Sequence, residues 1–165
     1  MRKLVVFAFF LALCCLPAAA QDYPKAEIFG GYQYSHLESS FNGNGWNLSA
    51  AGNLNHWFGV AADFSGAYDS GVHSHSYLFG PVASYRKSDK LTPFAHVLLG
   101  GTHVTVSGIS GGTNAFTTAF GGGFDTKLTD HISYRLVQGD WVLTHFAGST
   151  QSKNVRVSTG IIFRF

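Results

Sequence analysis

From Lys25 to Phe165, apolar and polar positions alternate with a period of two, broken at intervals by glycine, asparagine and serine. Such alternation places apolar side chains on one face of a β-strand and polar ones on the other. It is clearest between Asn154 and Phe165. There Val155, Val157, Thr159, Ile161, Phe163 and Phe165 share one face, and Arg156, Ser158, Gly160, Ile162 and Arg164 share the other. Near the start, Ala26, Ile28, Gly30, Tyr32 and Tyr34 oppose Lys25, Glu27, Phe29, Gly31, Gln33 and Ser35. Segments 45–54, 57–68, 75–86, 92–104, 114–126 and 131–142 repeat the pattern, and no 3.6-residue apolar stripe interrupts it. The chain thus predicts eight strands of about ten to twelve residues. That is longer than the five or six usual in globular sheets and suits the ~9–11 that cross a bilayer at a tilt.

The ionisable residues give the two faces a meaning. Glu27, Asp63, Arg86, Asp125, Arg135, Arg156 and Arg164 fall on the less apolar face, and Asp140 alone breaks phase. A basic residue facing lipid costs ~2–4 kcal/mol at the bilayer centre, and a marginally stable domain cannot carry several such costs. The apolar face is therefore predicted to meet lipid, and the charges to crowd the axis of a closed sheet. Buried charges need partners, and hairpin arithmetic suggests some. Asp125 and Arg135 flank the turn near Leu128–Asp130 at similar distances, and Glu27 meets Arg164 where the first and last strands close. A β-bulge near Val137–Gly139 restores the phase of Asp140 and lets it meet Arg156. The links near 53–56, 87–90 and 128–130 read as tight turns. Three of the four opposite links, centred near Asn42, Gly111 and Gly148, read as longer loops, and the fourth, around 69–71, as a short one. The expected fold class is all-β, an eight-stranded antiparallel up-and-down transmembrane β-barrel.

The N-terminus follows a different pattern. Arg2 and Lys3 precede an unbroken apolar run from Leu4 to Leu16, then Pro17 and Ala18-Ala19-Ala20. This is the layout of a secretory signal peptide cut after Ala20, and the run is shorter than the ~20 residues of a spanning helix. Residues 1–20 are accordingly expected to be a cleaved signal and 21–165 the barrel domain. Leu13 before Cys14 argues against a lipoprotein signal. Cys14 and Cys15 leave with the signal, so a mature chain would have no disulfide and no cysteine-held metal. Nine Lys and Arg would then face nine Asp and Glu, giving no basic patch for nucleic acid. Charged residues make up only 12% of the chain, far below the quarter typical of soluble domains.

The segments KAEIFGGYQYS, YLFGPVASYR, LTPFAHVLLGG, FGGGFDTKLTDHISYRLVQGDW and VRVSTGIIFRF resemble the small OmpA/OmpX-type outer-membrane barrel domains. The likeness covers essentially residues 24–165. It implies residence in the outer membrane, contact with its lipid and lipopolysaccharide, and a C-terminal strand ending in Phe163 and Phe165 that the barrel-insertion machinery reads. The chain stops at the barrel, so function is expected to come from the wall and the loops.

Candidate chemistry is sparse. His73 and His75 share a strand face, and His36, His103 and His145 lie toward the same end; these are read as rim residues rather than a metal site. His131-Ile132-Ser133 lies at the wrong end for lipid-A hydrolysis, and His75 and Ser76 point to opposite faces. Phe29, Phe94, His96 and Leu98 are expected to help fill a lumen that is already narrow at eight strands. Tyr32, Tyr34, Trp46, Tyr68, Tyr85 and Trp141 suggest aromatic girdles. The sequence therefore predicts a non-enzymatic, monomeric outer-membrane protein without cofactor, serving envelope integrity and showing loops that contact ligands. A soluble periplasmic ligand-binding barrel is the alternative, and a lipid-A-modifying hydrolase a remoter one.

Overall fold

A computed structural model describes residues 23–37, 42–88, 90–108, 111–146 and 149–165; the expected signal segment, with Cys14 and Cys15, lies outside them. Eight strands follow in order: β1 (Ala26–His36), β2 (Asn42–Asn53), β3 (Phe58–Asp69), β4 (Val72–Ser84), β5 (Leu91–Val106), β6 (Gly112–Lys127), β7 (Ile132–Phe146) and β8 (Ser149–Arg164). Each pairs antiparallel with its neighbours, and β1 pairs with β8 from Glu27↔Arg164 to His36↔Val155, closing the barrel. At the seam, the Lys25 amide donates to the Phe165 carbonyl at 2.7 Å, and the Phe165 amide to that of Ala26 at 2.9 Å. Closure pairs the backbone groups that an open edge would leave bare in hydrocarbon.

The sidedness is decisive. Val155, Ile161 and Phe163 are 47%, 46% and 48% exposed on the outer wall, whereas Arg156 and Arg164 inside are 4% and 8% exposed. A soluble barrel would need the reverse, and that alternative falls. Glycines let strands approach closely where the wall curves. A Cβ on Gly45 would strike the Gly66 carbonyl, and one on Gly123 the Val137 carbonyl, whereas Gly30 and Gly139 face open space.

Two expectations are corrected. The phase-restoring bulge occurs at Leu136–Val137, a residue before the predicted segment. Pairing steps there from Asp125↔Arg135 to Phe124↔Val137, so both Leu136 and Val137 point outward. The predicted long loops are also shorter than expected. β5 to β8 run for 16, 16, 15 and 16 residues, absorbing stretches that read as loop. Thr105 pairs with Gly112 and His145 with Thr150. Glycine, serine and asparagine are loop signals in a sequence. Beyond the membrane, however, both strand faces can be wet, and pairing continues without apolar alternation. The two-residue link Ser70-Gly71 has positive φ at both residues (33° and 86°), the conformation of a two-residue hairpin turn.

Candidate functional site

Inward parity gathers four carboxylates (Glu27, Asp63, Asp125, Asp140) and four guanidinium groups (Arg86, Arg135, Arg156, Arg164) into one lumen. They form tiers along the axis. At the end bearing the termini, Arg164 Nε donates to Glu27 Oε1 at 2.9 Å. Arg86 Nη2 donates to Glu27 Oε2 and to Asn53 Oδ1, both at 3.0 Å.

Above them Arg135 grips Asp125 at two points, Nε to Oδ1 at 2.8 Å and Nη2 to Oδ2 at 3.1 Å. Its guanidinium lies 4.5 Å from the Phe29 ring centre and 4.1 Å from that of Phe94. Such stacking suits a flat, weakly hydrated cation. The two rings and Asp125 are buried together in the lumen, and Leu78, Leu98 and Ala119 pack as a buried cluster on its β4–β6 side.

The next tier is centred on Arg156. Its Nε donates to Asp140 Oδ2 and its Nη1 to Asp63 Oδ1, each at 2.7 Å. Asn47 donates to Asp63 at 2.9 Å, His96 Nε2 lies 2.8 Å from Asp140 Oδ1, and Gln138 donates to Asp140 at 2.8 Å. Gln138 Oε1 also accepts from Arg135 Nη1 at 2.5 Å, linking the two tiers. Beyond Arg156, toward the far end, a small chamber is lined by Gln33, Ser65, Ser76, Thr102 and Thr144 among others, with no histidine or carboxylate in its wall among the described residues.

The structure thus brings together Asp125 with Arg135, Glu27 with Arg164, and Asp140 with Arg156. Sequence reasoning missed Asp63–Arg156, Arg86–Glu27 and the supporting His96, Asn47, Asn53 and Gln138. The first two pairs join strands that are not neighbours, so hairpin counting cannot find them. The available signal was inward parity combined with an amide or imidazole side chain. Ser76 turns inward to Thr102 (2.8 Å), while His75 turns outward to Tyr68 (3.2 Å). Ser133 is buried in the lumen and His131 exposed in the turn before it.

The outer wall carries its own pattern. Tyr32, Tyr34, Trp46, Tyr68 and Trp141 ring the far end, and Trp57 packs on Tyr85 at 5.1 Å near the other. Phe163 and Phe165 lie outward at the close of β8. All five rim histidines named above stand at the far end on the outward parity. Among the described residues, no group of three or more His, Cys, Asp or Glu converges as a metal site.

A family model for outer membrane protein beta-barrel domains matches residues 6–163. No curated protein matches the sequence. Among solved structures the chain is similar to Neisserial surface protein A, NspA (TM-score 0.66, 11% identity, 85% of this chain and 96% of that one). It is similar to the N-terminal barrel domain of Pseudomonas aeruginosa OprF (TM-score 0.65, 12% identity, 87% and 100%). A third is Ail, the attachment invasion locus protein of Yersinia pestis (TM-score 0.57, 16% identity, 87% and 99%). At such identities the likeness is one of fold.

Proposed function

The chain belongs to the outer membrane β-barrel family and resides in the outer membrane, and from that premise we propose that it is a non-enzymatic envelope protein with a sealed lumen. The observation that carries this is the stack of plug and charge tiers across the axis. Arg135 is held between Phe29 and Phe94, and Arg156 bridges Asp63 and Asp140, in a lumen that eight strands leave just wide enough for side chains to fill. Among the described residues the four carboxylates and four guanidinium groups of the lumen balance in formal charge. Function then falls to the wall and the far rim. The test is conductance in planar bilayers, with sensitivity of a deletion strain to detergents and bile salts. Sealed membranes and a leakier envelope on deletion are expected. Regular single-channel steps from the purified protein would refute a sealed lumen.

Several parts of this reading rest on sequence. Residues 1–20 act as the cleaved signal, residues 21–165 as the mature barrel, and Phe163 and Phe165 as the contact for the insertion machinery. The mass of the mature protein and its insertion rate test them. A ligand-contact role at the rim is the second reading, and the extension of β5 to β8 favours it by forming a stiff platform. Ail has been crystallised with the heparin analogue sucrose octasulfate. Here Lys153 is the lone Lys or Arg on the outer wall at the far end among the described residues, so a sulfated polysaccharide is a poor match.

A further inference from the structure

The lumen charges match in number but not in place. With histidine counted as neutral, Asp63 and Asp140 share Arg156, and Asp125 is held at both oxygens by Arg135. At the end bearing the termini the balance tips the other way. One carboxylate, Glu27, stands between two guanidinium groups, those of Arg86 and Arg164. Both Glu27 oxygens are taken: Oε1 accepts from Arg164, and Oε2 from Arg86 and Asn53. The two arginine side chains are only 8% and 9% exposed, and Arg86 Nε and Arg164 Nη2 each lack a hydrogen-bond partner.

Lysines carry this positive charge onto the rim. Lys25 precedes Glu27 by two residues and Lys127 follows Asp125 by two, so both keep the inward parity. Lys90 precedes the buried Thr92 by two, and its carbonyl accepts the Lys127 amide at 2.9 Å, which sets these two lysines side by side. All three are exposed. Lys127 reaches Asp130 at 2.7 Å on the open surface, while Lys25 and Lys90 form no ion pair among the described residues. Even with the neighbouring Asp22 and Asp89 of the sequence counted beside Glu27 and Asp130, six cationic side chains at this end face four acids. The sixth, Lys87, follows Tyr85 on the outward parity. Charges of one sign ringed around a low-dielectric opening focus the field along its axis.

We propose that this ring is a docking site for an acidic peptide segment on the periplasmic side. With eight strands both termini fall at one end, and the short turns of such barrels face the periplasm. A lipid headgroup lies outside the wall and meets only Lys87, so the partner comes from the aqueous side. The rim lysines belong to the ends of β1, β5 and β6. β1 and β5 stand on opposite sides of the eight-strand ring, so one small ion cannot touch them all, whereas carboxylates spaced along a peptide can. The buried arginines act through their field, and the exposed lysines by contact. The inference takes the outer-membrane location from the family and does not depend on the envelope role.

The test places the whole barrel in nanodiscs of zwitterionic lipid and titrates it against a fluorescent octaglutamate peptide, read by anisotropy. Wild type should bind, and its affinity should fall about tenfold as ionic strength rises from about 0.05 M to about 0.5 M and exposed charges are screened. K25Q/K90Q/K127Q should bind about tenfold more weakly at the lower salt, because three exposed charge contacts are lost. K25R/K90R/K127R should bind as wild type does, and Lys87→Gln should change little. No binding by wild type, or equal affinity of wild type and the triple glutamine variant, would overturn the proposal. So would full displacement of the peptide by inorganic phosphate at equal ionic strength, which marks a free-ion site. Retention of phosphatidylglycerol, counted by native mass spectrometry, that is lost in the triple glutamine variant but kept in Lys87→Gln would mark a lipid surface and overturn it too. Heat-modifiable gel migration checks folding; should the triple glutamine variant not fold, unchanged affinity in Lys90→Gln alone overturns the proposal equally. The barrel is inserted in every arm, so failure here leaves the sealed-lumen reading, tested by conductance, untouched.

Discussion

Removing the cation at the centre of the lumen strands two buried carboxylates at once. Arg156 is buried and neutralises both, through contacts of 2.7 Å to Asp140 and 2.7 Å to Asp63. In Arg156→Met, a flexible apolar chain fills much of the volume, but Asp63 keeps only Asn47 and Asp140 keeps His96 and Gln138. Breaking a buried pair by deleting one partner costs about 3–5 kcal/mol, because the remaining charge has lost its compensation. That corresponds to roughly a hundred- to several-thousandfold in the folded-to-unfolded ratio. Urea titration of the barrel in lipid vesicles measures it. Trp46, Trp57 and Trp141 all face outward, so their fluorescence reports loss of the lipid-facing wall. The triple variant D63N/D140N/R156M removes the stranded charges as well and should recover most of the loss, since a neutral core escapes the desolvation cost of ions. A cost under about 1 kcal/mol for R156M, or a triple variant no more stable than R156M, would refute the role given to Arg156.

Other outcomes follow from the same geometry. Arg135→Glu should destabilise the barrel by about 3 kcal/mol or more, and adding Asp125→Arg should restore part of it; urea midpoints that show no rescue would argue against the pair as the cause. Gly123→Ala should cost about 1–3 kcal/mol through overpacking against the Val137 carbonyl, whereas Gly139→Ala, facing open space, should stay within about 0.5 kcal/mol; equal midpoints for the two would rule out close approach as the reason for Gly123. F163A/F165A should slow insertion by the reconstituted machinery more than it lowers urea stability of the assembled barrel, read by heat-modifiable gel migration over time.

Much of the wall was legible in the chain itself. Period two is the geometry of a strand, so Val155, Ile161 and Phe163 had to share a face that Arg156 and Arg164 could not. The cost of charge in hydrocarbon then told which face was out. Hairpin pairs such as Asp125–Arg135 were also within reach, since antiparallel register follows from distance to a turn. Even the bulge in β7 announced itself, because Asp140 could not otherwise turn inward.

Tertiary structure decided what the period-two code leaves open. Arg156 meets Asp63 across the lumen from a strand that is not its neighbour, and Arg86 reaches Glu27 in the same way; only closure into a barrel of this width sets those distances. The ends of β5 to β8 were hidden because strands that leave the membrane lose apolar alternation while keeping their ladder. The pairing of His75 with His103 belongs to the same class. His75 and His103 lie 28 residues apart in sequence, and nothing short of the β4–β5 register could set them side by side. Local patterning thus determines which way each side chain points. Which side chains meet depends on closure and register, because those contacts join parts of the chain that no local rule connects.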